Sequence, residues 1–155
     1  MDAEKLREEV EKRRKAGWID VWMAFETLAV KKEVAESSLQ DHIEKMSKVK
    51  DMLICEKVYK DCIKTDKIPF KLKEKLPQGT EAWSQVAEVR AFCKDLFTLV
   101  NIVMVYGPSA IEIHSPKDYK MKTDEMQNIT NLVAGIMHDF ASAGVGGLVI
   151  SGERK

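Results

Sequence analysis

The chain has no long hydrophobic run, no charge excess of either sign and no paired cysteine motif. Its densest apolar stretch, Leu96 to Tyr106, is broken by Thr98 and Asn101. It falls short of the roughly 18–20 apolar residues that a membrane-spanning helix needs. The opening, Met1-Asp-Ala-Glu-Lys, is charged and lacks the apolar centre of a signal peptide. Together these absences give the expectation of a cytoplasmic protein with no membrane partner. Lys+Arg and Asp+Glu balance at 25 each, so no global field draws the chain to nucleic acid. Cys55, Cys62 and Cys93 are an odd set without a CxxC, as expected of reduced thiols. Pro and Gly are few, at 4 and 8, which excludes collagen-like and low-complexity chains. Asn and Gln total 7 while Lys and Glu abound, a balance met in proteins from hot environments, although the 8 Met residues run against it.

What is present is helical periodicity. At 155 residues and 45% apolar, the chain reads as one domain, 1–155, with its own core. Residues 1–64 read as N-terminal helices forming a hairpin or bundle. Ala3 to Ala16 is dense in charge, with Leu6 and Val10 as a thin apolar edge, and Gly17 ends it. From Trp18 to Ile63 apolar residues recur in steps of three or four, which predicts two helices with a break near Ser47 to Asp51. Residues 65–79, with Pro69, Pro77 and Gly79, are a connection.

Residues 80–107 carry the most regular pattern. Val86, Val89, Cys93, Leu96, Val100 and Val103 alternate steps of three and four, which predicts one long helix with a buried seam. Gly107-Pro108 is the expected stop. Residues 108–155 change character. Ala110 to His114 alternates as a half-buried strand, and Thr123 opens a helix with Met126, Ile129, Leu132, Val133, Ile136, Met137 and Phe140 on one face. Gly147–Ser151 reads as a second strand. Two strands make a marginal sheet, so Tyr119 to Lys122 or a second copy is expected to supply a third. The fold class expected is therefore α+β and predominantly helical.

Glu33-Val-Ala-Glu36 sets two carboxylates one helical turn apart, a spacing able to share a divalent cation. This ExxE resembles half of the motif of the all-helical MazG-type nucleotide pyrophosphohydrolases. Their other half, ExxD on a neighbouring helix, occurs nowhere in the chain. His138-Asp139 resembles the dyad of the metal-dependent HD phosphohydrolases, with His42 or His114 available as a further ligand but no Asp downstream. The resemblances imply a phosphohydrolase alternative built on Glu33, Glu36, His138 and Asp139. The same residues also serve as a solvated helix face and a polar margin. Cys55 and Cys62 carry no second ligand pair for zinc. Gly144-Val-Gly-Gly147 follows a helix and precedes a strand, the reverse of a phosphate-cradling loop.

Lys57, Lys60, Lys64, Lys67, Lys71, Lys73 and Lys75 form a basic stretch interrupted by Asp61, Asp66 and Glu74. It contains no Arg and few rings, so nucleic acid is an alternative partner and not the first. No cofactor and no metal is expected. The leading expectation is a small interaction or assembly module that pairs with itself, with Trp18, Val86, Val89, Val100 and Val103 at its interface.

Overall fold

The computed structural model describes residues 1–144 and divides into two compact units, Met1–Asp118 and Tyr119 onward. The first unit runs α1 (Ala3–Lys15), β1 (Ile19–Ala29), α2 (Lys32–Ser47), β2 (Met52–Tyr59), β3 (Ile63–Thr65), α3 (Phe70–Lys73), β4 (Ala82–Cys93), α4 (Leu96–Tyr106) and β5 (Ala110–Ser115). The strands form one antiparallel sheet in the order β2-β4-β1-β5, with β3 added beside the start of β4. Without α1 and the 60–81 elaboration, the connectivity is βαββαβ, the split arrangement of ferredoxin-like folds.

The expected helical predominance is overturned. Among the described residues helices hold 44% and strands 28%, and the five-stranded sheet organises the core. Trp18 to Ile63 is not a pair of helices but β1, α2, β2 and the start of β3. The long helix over 80–107 is β4 followed by α4. The physical reason lies in the central strands. Ile19, Val21, Met23 and Phe25 of β1, with Ala87, Val89, Ala91 and Cys93 of β4, face α2 and α4 and are at most 3% exposed. Many of their outward neighbours, Trp22, Ala24, Val86 and Phe92, are apolar too, with Asp20, Glu88 and Arg90 the polar exceptions. A strand covered on both faces loses its alternation and reads as a continuous apolar run.

Where only one face is covered, sequence and structure agree more closely. In α2, Ala35, Leu39, Ile43 and Met46 recur at three and four and are wholly buried. The chain then turns through Asp51, held at φ 63. α4 starts on Asp95, whose carboxylate accepts from the Thr98 amide at 2.8 Å. It ends on Gly107, left-handed at φ 56. Leu99 and Ile102 point from α4 into the core. On the opposite face of the sheet α1 lies against β2 and β4 and buries no residue of its own.

The second unit holds α5 (Thr123–Ser142), with Asp124 and Glu125 favourably placed in its first turn. Tyr119 to Lys122 forms no strand. The expected strand Gly147–Ser151, and the glycine turn leading to it, lie outside the described residues beyond Gly144.

Candidate functional site

Among the described residues the amphipathic face of α5 is the most conspicuous exposed apolar surface. Met126, Ile129, Val133, Ile136 and Phe140 follow steps of three, four, three and four along the whole helix. That spacing holds one stripe toward a partner. Met126, Val133, Met137 and Phe140 are each between 43% and 49% exposed, Ile129, Leu132 and Ile136 are half-buried, and no residue of α5 is fully buried. The helix carries Asp124, Glu125 and Asp139 and no Lys or Arg. A helix this polarised gains in full from its apolar stripe only when something covers it.

The outward face of the sheet carries a second polar arrangement. Asp20, 3% exposed inside β1, accepts from Arg90 of β4 through both oxygens, Nε at 3.0 Å and Nη2 at 2.7 Å. The pair is bidentate, the geometry a guanidinium offers a carboxylate. Beside it, the Cys55 thiol donates to the Arg90 carbonyl at 3.3 Å from a bulge in β2. Burial pushes the Cys55 thiol above its ordinary pKa, with the Arg90 charge acting in the opposite sense. A thiol so held is mostly protonated at neutral pH, the opposite of an activated nucleophile.

His42 is a structural fastener. Its Nε2 donates to the carbonyl of Tyr106, the last residue of α4, at 2.8 Å. Its ring packs edge-on against Phe25 at 5.8 Å and Tyr106 at 5.3 Å. The bond satisfies one of the carbonyls a helix leaves without an internal partner.

The residues singled out from the sequence are dispersed. Glu33 and Glu36 stand at the start of α2, where Lys32 Nζ lies 3.8 Å from Glu36. His138 and Asp139 belong to α5 in the other unit, and His114 is on β5, 3.8 Å from Glu112. Among the described residues no three His, Cys, Asp or Glu side chains converge as a metal site would require. The lysines are spread over β2, β3, α3 and the intervening loops. Lys60 lies 3.4 Å from Glu88, and Lys64 lies 3.3 Å from Glu81 while also facing the Trp83 ring at 5.5 Å. Half-buried Trp18 is capped by the Arg13 guanidinium at 5.0 Å from its ring. Val86 and Val89 share no helical seam: Val86 faces outward from β4 and Val89 is in the core. Val100 and Val103 are half-buried on α4, with Val103 packed against the core.

Sequence periodicity alone locates the α5 stripe. The Asp20–Arg90 pair joins positions far apart in the chain, and its only local signal is an acid between Ile19 and Val21. Among the described residues no helix is long and apolar enough to cross a membrane. No match is found among curated proteins or among solved structures. Residues 20–150, a span that takes in β1 through α5, match the MJ0538 family, and the chain belongs to it.

Proposed function

We propose that the protein is a cytoplasmic assembly module that works by pairing with further copies of itself rather than by catalysis. The observation that supports this reading is the α5 stripe, regular in spacing and half exposed over its length. Exposed apolar patches of this kind mark association surfaces in soluble proteins. A stripe in steps of three and four suits another helix better than a flat surface, because each side chain then seats between residues of the facing helix. A second copy offers the same stripe, so a two-fold pairing is self-complementary.

Sedimentation equilibrium of the full chain at micromolar concentration tests it. The expected result is a multiple of the 17.6 kDa chain mass, reduced to the monomer by Val133→Asp. A wild-type chain that sediments as a monomer overturns the proposal.

A further inference from the structure

A groove of about 670 Å³ runs between α1 and the outward face of the sheet, lined by α1, the β2 bulge and β4. That volume lies in the range of about 300–1,000 Å³ typical of small-molecule sites. One wall is apolar, made by half-buried Leu6 and Val10 of α1, with Phe92 of β4 buried at its base. Two cations stand in the lining with unspent hydrogen-bonding capacity. Arg7 has no carboxylate partner among the described residues. Arg90 spends Nε and Nη2 on Asp20, which fixes its plane and leaves Nη1 free on a side chain that is 39% exposed. The third cation, Arg14, is already paired with Glu11 and lies over the Phe92 ring at 5.8 Å.

We infer that this groove binds a small organic carboxylate, its apolar body against Leu6 and Val10 and its carboxylate on Arg7 and the free edge of Arg90. The Asp20 carboxylate beneath holds Arg90 in one orientation, so little side-chain entropy is lost when a ligand accepts from it. Glu56, opposite Arg90 in the strand ladder, also lines the groove. Its charge opposes a dianion such as a phosphate monoester and is compatible with one carboxylate. Glu56 can also accept an ammonium group, so a plain carboxylic acid and an apolar amino acid share the recognised chemistry.

The test is calorimetric titration of the full chain with 3-phenylpropionate, with L-phenylalanine and with the neutral 3-phenylpropan-1-ol. In parallel, alkylation of Cys55 by iodoacetamide is followed by mass spectrometry, with Cys62 as the internal reference because it lies outside the groove. At least one of the two carboxylates should saturate at one site per chain below about 1 mM, and the tighter of the two identifies the source. The alcohol should bind at least about tenfold more weakly, because a charge-assisted hydrogen bond carries that much. Occupancy should slow alkylation of Cys55 and leave Cys62 unchanged. Arg7→Gln should weaken the carboxylate about tenfold, and Leu6→Trp should abolish binding by filling the groove. Both positions are on α1, which has no fully buried residue, so circular dichroism should stay that of the wild type. Equal binding of acid and alcohol, an unchanged Cys55 rate at saturation, or no saturation by roughly 10 mM overturns the inference.

Discussion

α2 and α5 are both amphipathic helices, of 16 and 20 residues, and the same rule of threes and fours describes each. Yet α2 buries Ala35, Leu39, Ile43 and Met46 completely, and α5 buries no residue completely. Amphipathicity states that a surface needs covering. It does not state what covers it. α2 closes on the sheet of its own unit, where Val21, Met23 and Val89 complete the core. α5 has the sharper segregation and the less satisfied stripe, the condition expected of a helix whose partner lies elsewhere. The two helices should therefore respond to the same insult in opposite ways.

The largest expected effect is in α2. Ile43→Asp places a carboxylate where the wild-type side chain is wholly buried and the neighbours are apolar. Ionised, it must be desolvated without a partner; protonated, it still leaves a cavity and unsatisfied oxygens. Either route costs on the order of 4 kcal/mol or more, enough to unfold a domain of ordinary stability. Urea denaturation monitored by circular dichroism should show an unfolded or near-unfolded variant. A variant with a near-wild-type midpoint would mean that α2 is no more committed to the sheet than α5 is to its surroundings.

The outward face of the sheet is covered only in part, and the Asp20–Arg90 pair there has one buried and one half-exposed partner. Arg90→Ala strands a carboxylate that is 3% exposed, at a cost of about 3 kcal/mol, the low end for broken buried pairs. Asp20→Ala strands a guanidinium that is already 39% exposed and can turn to water, at a cost of about 1 kcal/mol. Chemical denaturation of the two variants should reproduce that order. Equal losses would show the outward face to be as sealed as the inward one.

Legibility in the sequence followed the same division. α1, the turn after Ser47, the Gly107 cap, β5 and α5 each expose a face, and the alternation of polar and apolar residues there announces period and boundary. β1 is largely covered on both sides, so Val21-Trp22-Met23-Ala24-Phe25 shows no alternation at all, while in β4 only Glu88 and Arg90 interrupt the apolar run from Val86 to Cys93. A second confusion is arithmetical. Positions i and i+4 share a face in a strand as well as in a helix, so Val89 and Cys93, both truly inward, satisfied the helical seam and the strand alike. Asp95, which caps α4, marked the real boundary inside the supposed long helix. Its sequence sign, Asp followed three residues later by Thr98, is weak because such pairs are common. The groove beneath α1 was illegible for another reason: it needs Arg7, Glu56 and Arg90 from three separate elements.

A smaller effect belongs to the thiol in the core. Burial pushes Cys93 up to about 12, above the ordinary value it regains on unfolding. The folded state therefore holds the proton more tightly than the unfolded one. Stability is fully present below the unfolded value near 9 and falls as pH rises toward 12. Cys93→Ala should remove this part of the alkaline decline while lowering stability near neutral pH through the lost packing. Denaturation midpoints of both chains between pH 8 and about 11 would show it. Parallel curves for the two would mean that Cys93 ionises freely and that this part of the core is open to water.

The smallest expected change in stability comes from α5, and it bears most directly on what the protein does. Met137 sits on the stripe at 48% exposure, so Met137→Lys introduces a charge that water already reaches. Surface substitutions of this kind shift stability by no more than about 0.5 kcal/mol. The denaturation midpoint, measured at a concentration low enough to dissociate any assembly, should match the wild type. In a paired assembly the same lysine would meet an apolar stripe, where its desolvation is uncompensated and association weakens by about tenfold or more. The diagnostic result is thus a split: unchanged stability of the dilute chain and a sedimentation profile shifted to the monomer. Loss of both together would place α5 in its own chain's core, like α2. Loss of neither would leave the stripe without an occupant and remove the support for assembly.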